Sequence, residues 1–155
     1  MWNHPAMPTA FFLNGPNANL YGLDAKGTYG REDLPAIGAR CHRAAERAGL
    51  LLDFRQTNDE GQLIDWVQEA RTAADGLLIN ATSLSYTSIA VMDAMLMLDC
   101  PVIEIHMSNI HRREPFRHRT FTSLAATASL CGLGPLGYEL AISAMADLIA
   151  AGRRR

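Results

Sequence analysis

The stretch Pro101–Arg119, PVIEIHMSNIHRREPFRHR, sets how the rest of the chain is read. It opens behind a proline as a short apolar run, Val102, Ile103 and Ile105, the pattern of a buried strand. Glu104 and His106 interrupt that run at a spacing of two, which on a strand puts both side chains on one face. The carboxylate can then hold the imidazole, fix its tautomer and favour its charged form. Ser108, Asn109, His111, Arg112, Arg113, Glu114, Arg117, His118 and Arg119 follow, more hydrogen-bonding capacity than a plain connection needs. A carboxylate-oriented histidine at a strand end, backed by serine, asparagine and arginines, suits a small oxygen-rich anion. The plainer alternative is a satisfied histidine beside a solvated basic loop, and the crowd of polar neighbours weighs against it.

Outward from this stretch, apolar runs and amphipathic segments alternate. Ala10–Leu13 reads as a strand that runs into Asn14–Gly22, NGPNANLYG, where Gly15 and Pro16 force a turn and Asn17 and Asn19 present amides. Leu23–Gly30 is a mobile loop with one aromatic, Tyr29. A helix is expected over Asp33–Ala48, with Pro35 in its first turn and Gly49 closing it. Strand Leu50–Gln56, helix Gln62–Ala73 and a strand over Gly76–Ile79 that ends at Asn80 follow, and then a loop, Ala81–Ser88. Ile89–Leu98 is a helix apolar nearly all round apart from Asp93, which predicts packing on the sheet and on another subunit. A weaker strand at Ala126–Cys131 and a helix over Leu136–Ala151 complete the pattern. Such alternation predicts a parallel sheet covered on both faces. Ligands bind such sheets outside the carboxyl ends of the strands, where the polar clusters at Asn14–Asn19, Asn80–Ser88 and His106–Arg117 can converge. NGPNANLYG has neither the spacing nor the Gly-Lys-Ser/Thr ending of a phosphate loop.

With 155 residues, 48% of them hydrophobic and 19% charged, the chain fits one soluble domain over 1–155, with a loose lead-in at 1–8 and a basic tail at 152–155. A net charge of -2 argues against nonspecific nucleic-acid binding. Cys41, Cys100 and Cys131 are odd in number and widely spaced, neither a disulfide framework nor a metal pattern, which suits a reducing cytosol. No signal peptide is expected, and no apolar run approaches the ~20 residues of a membrane span.

Six blocks carry a resemblance: LNGPNANLYG, TYG, RQTNDEGQLIDWVQEA, GLLINATSLSYTSIAVMDA, PVIEIHMSNIHRREPFRHRTFTS and GLGPLGYELA. In this order and spacing the chain resembles the type II 3-dehydroquinate dehydratases. The resemblance implies a flavodoxin-like three-layer sandwich with a five-stranded parallel sheet. It also implies elimination of water from 3-dehydroquinate through an enolate, without metal or nucleotide cofactor, in the cytoplasm, on the shikimate or quinate pathway. Tyr29 matches the base and Asn17 the residue holding the enolate-stabilising water. His106, oriented by Glu104, matches the general acid. Asn80, Met107, Ser108 and Arg117 match the grip on ring hydroxyls and carboxylate, and Arg113 matches an arginine near the closing loop. Asp93 matches an aspartate offered across a subunit boundary, in what the resemblance implies is a dodecamer, a tetramer of trimers.

The chain departs from the pattern inside the site. Where the family's loop carries an arginine that activates the tyrosine, this chain has Asp24, which opposes a phenolate; Lys26 and Arg31 are the substitute cations nearby in sequence. Tyr86 stands for a substrate-binding histidine and Met92 for an arginine. A divergent relative acting on a related cyclic hydroxy-acid, and a homologue that binds without turnover, therefore stand as alternatives. An Asp24→Arg variant is expected to gain rate unless another group activates Tyr29.

Overall fold

The computed structural model describes residues 6–153, so most of the lead-in and the end of the basic tail lie outside the described residues. Five strands form one sheet: β1 (Thr9–Asn14), β2 (Leu51–Gln56), β3 (Gly76–Asn80), β4 (Val102–His106) and β5 (Ala128–Cys131). All neighbouring pairs are parallel, in the order β2-β1-β3-β4-β5. Between them run α1 (Leu34–Ala48), α2 (Glu60–Ala73), α3 (Ile89–Leu96), the short α4 (Phe121–Leu124) and α5 (Gly134–Ala150). This is the flavodoxin-like arrangement.

Alternation along the strands builds two cores. Ala10, Phe12, Leu78, Ile103 and Ile105 face α1 and α5, while Phe11, Leu13, Leu77, Ile79 and Val102 face α2 and α3. Phe12 packs its ring 4.5 Å from Tyr138 and 5.2 Å from Phe54, fixing α5 and β2 against the centre of the sheet. α1 and α2 start where the chain supplies caps. Asp33 accepts the Ala36 N–H at 2.9 Å, and Asp59 accepts that of Gln62 at 2.7 Å.

The expected elements differ in detail. The Ala81–Ser88 loop winds into a 3-10 turn at Thr82–Tyr86. α3 stops two residues short of Leu98, and β5 starts at Ala128 because Ala126 is held in a turn to Ser123. α4 was not anticipated; Thr120 caps it by accepting the Ser123 N–H at 3.2 Å.

β1 leads to β2 on one side and the chain then crosses to β3 on the other, so the connections diverge between β1 and β3. Asn14 and Asn80 sit side by side at that switch point, where doubly wound sheets open a crevice.

Candidate active site

The crevice is built by close approach at the switch point. Gly15 donates its N–H to the Asn80 carbonyl at 2.8 Å, and any Cβ there would lie 2.5 Å from the Ala81 oxygen, so only glycine fits. Asn17 (φ +68°) and Thr82 (φ +52°) are the only non-glycine residues at positive φ among those described, and both line the crevice. Asparagine tolerates that conformation, but a β-branched threonine is strained in it, a cost that clusters at binding sites. Asn17 is steadied by its N–H, which donates to Asn58 Oδ1 at 2.9 Å.

The resulting cleft, about 130 Å³, brings together Asn17, Tyr29, Asn80, Tyr86, His106, Met107, Ser108, Arg113 and Arg117 from the expected set. Glu104 lies behind His106. Its Oε1 is 2.9 Å from His106 Nε2, so the spacing of two on β4 has the consequence read from it. Both groups are buried, with exposures of 1% and 4%. Glu104 also accepts the hydroxyls of Thr122 (2.5 Å) and Ser129 (2.7 Å), from α4 and β5. Burial alone would raise the carboxyl's pKa. The His106 bond and charge and the two hydroxyls outweigh it, holding Glu104 down at about 2. An anionic Glu104 commits Nε2 as a donor, which leaves Nδ1 to serve the cleft.

Across the cleft, Arg113 Nη1 donates to the Tyr29 hydroxyl at 3.0 Å and to Ser108 Oγ at 3.1 Å. The cation on the loop tyrosine is therefore Arg113, and the sequence-neighbouring candidates Lys26 and Arg31 are exposed. Asp24 turns its carboxylate into its own loop, where Oδ2 accepts the Thr28 N–H at 2.7 Å. Tyr86 stacks near His106, with ring centroids 6.1 Å apart, under the guanidinium of Arg117 at 5.3 Å. Burial raises the Tyr86 pKa despite the pull of Arg117, so its hydroxyl stays protonated, a donor. Arg117 is braced by Glu114 Oε2 at 2.8 Å.

Two expected residues differ from the others in their surroundings. Asp93 is exposed on α3 and does not line this chain's cleft. Asn80 lines it, but both its amide hydrogens are given to phenols: Tyr21 OH at 2.8 Å and Tyr138 OH at 2.7 Å. Its Oδ1 accepts the Thr82 N–H at 3.1 Å, and Tyr138 in turn donates to Asn14 Oδ1 at 2.7 Å. The reading from sequence missed Tyr21, Tyr138, Thr122 and Ser129. Only Tyr21 carried a local signal, as a second tyrosine in the glycine-bounded stretch before the loop.

The parallel α/β fold thus brings an acid-paired imidazole and a cation-held phenol into one cleft at its switch point. The family model described as dehydroquinase class II matches residues 8–146, and the chain belongs to that family. It is 46% identical over 139 residues to 3-dehydroquinate dehydratase 2 of Pseudomonas aeruginosa, covering 90% of this chain and 94% of that one. It is 51% identical over 139 residues to the 3-dehydroquinate dehydratase of a Caulobacter species, covering 90% and 95%. The crystal structure of type II dehydroquinase from Propionibacterium acnes superposes with a TM-score of 0.85 at 36% identity, over 90% of this chain and 97% of that one.

Proposed function

We propose that the chain removes water from 3-dehydroquinate to give 3-dehydroshikimate. Tyr29, as phenolate, takes the proton from the carbon beside the ketone, and charge passes onto the carbonyl oxygen as an enolate. Collapse of the enolate forms the carbon–carbon double bond and breaks the ring C–O bond. His106 delivers its proton to the departing hydroxyl, which leaves as water. The observation that carries this reading is the Arg113–Tyr29 bond at 3.0 Å in the same cleft as the Glu104–His106 pair.

The physical logic is a division of labour. Arg113, which donates to the Tyr29 hydroxyl at 3.0 Å, is the cation in place beside the phenol that acts as base. Glu104, buried behind His106 with Oε1 2.9 Å from Nε2, fixes the ring so that Nδ1 faces the substrate and can hand over a proton. Asn17 at the mouth holds the water that faces the enolate oxygen, where fixed donors are worth most. The Ser108 hydroxyl, the Met107–Ser108 backbone and Arg117 bind the carboxylate, and Tyr86 donates to a ring hydroxyl. Asn80 positions phenols instead of binding substrate directly.

The enzyme works as a homo-oligomer, a dodecamer built as a tetramer of trimers, in which Asp93 reaches a neighbouring copy's cleft. Support comes from apolar surface beside the cleft and on α3 and just past its end: Phe116 (65% exposed), Leu124 (71%), Ile89 (53%) and Met97 (64%). A groove of about 1020 Å³ runs along the first two of these to Tyr86 and Glu104. The test is steady-state formation of the conjugated enone from 3-dehydroquinate. Saturable turnover supports the reading, and tight binding of the same compound without product sinks it in favour of a binding homologue.

A further inference from the structure

The loop over residues 23–30, the lid that carries Tyr29, makes few bonds of its own. Gly27 N–H reaches the Asp24 carbonyl at 3.1 Å, Gly30 N–H reaches the Gly27 carbonyl at 3.0 Å, and Asp24 caps Thr28. Those contacts shape a turn but do not attach it to the sheet. Tyr21 is the opposite case. It is 4% exposed, and its hydroxyl accepts from Asn80, the last residue of β3. Asn80 is fixed in turn to Tyr138 on α5, which is fixed to Asn14 at the end of β1. Its ring is thus anchored to the rigid edge of the sheet, and it lines the same cleft as Tyr29. The Tyr29 ring lies against it, centroids 5.1 Å apart and planes at 37°.

We propose that Tyr21 is the seat of the lid, a positioning residue whose anchored ring holds the Tyr29 phenol in place for Arg113. This deepens the dehydratase reading and rests on Tyr29 being its base. Tyr21 does not compete for that role, because burial, only partly offset by the Asn80 bond, pushes its own hydroxyl up to about 12 and keeps it protonated. A tilted aromatic pair of this geometry favours the closed lid by about 2- to 10-fold.

Trypsin supplies a readout independent of turnover, because Lys26 is exposed within the lid. The initial rate of cleavage after Lys26 is compared in the parent protein, Tyr21→Leu, Tyr29→Leu and the double variant. Cleavage after Arg47, 66% exposed on α1, reports general loosening. Expected are a rise of about 5-fold at Lys26 in Tyr21→Leu, a larger one in Tyr29→Leu, which also loses the Arg113 bond, no further rise in the double over Tyr29→Leu, and an unchanged rate at Arg47. Tyr21→Phe, which keeps the ring but loses the hydroxyl's bond to Asn80, should fall between the parent and Tyr21→Leu. Additive single effects, an unchanged Lys26 rate in Tyr21→Leu, or a parallel rise at Arg47 would each overturn the proposal. With 3-dehydroquinate, Tyr21→Leu should lower kcat by more than it raises KM. A parent protein without turnover but with the coupled cleavage pattern would refute the dehydratase reading and leave the seat standing.

Discussion

Arg113 shares one nitrogen between the Tyr29 hydroxyl and Ser108 Oγ, so a single guanidinium both steadies the base and fixes a donor on the substrate's side. Arg113→Ala is expected to cut kcat by about 10²–10³-fold, the size of effect seen when one positioned charge donor is lost. Arg113→Lys keeps the charge without the planar fork and should recover only part of that loss in the same assay. Glu104 gives a second prediction, with a definite sign. Its carboxyl sits at about 2 when folded against an ordinary 4.5, so the stability it contributes is complete above pH 4.5 and is lost as pH falls towards 2. A shift of that size is worth on the order of 3 kcal/mol. The melting temperature of the parent protein should therefore fall more steeply across that interval than that of Glu104→Gln, and parallel slopes would count against an ionised Glu104 in the fold.

At the level of elements, the lid and the asparagine–tyrosine network pull in different directions, one loose and one fixed. Because Asp24 caps the lid turn and Arg113 already holds the phenol, Asp24→Arg is expected to leave the rate unchanged or lower it. Asp24→Asn, which keeps an acceptor for the Thr28 N–H, should track the parent; a gain in rate for the arginine variant would show that the phenol lacks a cation. Tyr138→Phe strands Asn14 Oδ1 and removes the acceptor from Asn80, at about 1–3 kcal/mol read from denaturant unfolding. These features also mark how far the chain could be read unaided. The Glu104–His106 pair was legible because strand period alone aligns it. Arg113 on Tyr29 was not, since 84 residues separate them while Lys26 lies three away in sequence. Tyr138 was hidden for the same reason: its partners, Asn14 and Asn80, stand 124 and 58 residues back along the chain, and only the sheet order brings them together.

Over the whole molecule, the sheet order puts every expected cleft residue except Asp93 at one edge or directly behind it. Asp93 and the apolar surface of α3 face outward, so assembly is expected to complete the site. Met97→Glu should shift the particle to smaller species by sedimentation and reduce turnover in step with the dissociated fraction. The most direct measurement of the central claim is the single-turnover rate of enone formation from 3-dehydroquinate in the parent protein and in Tyr29→Phe and His106→Asn. A phenol and an acid-backed imidazole acting on one ring predict measurable turnover in the parent and a loss of at least about 10²-fold in each variant. An inactive parent, or a Tyr29→Phe protein that converts the substrate as fast as the parent, would contradict it.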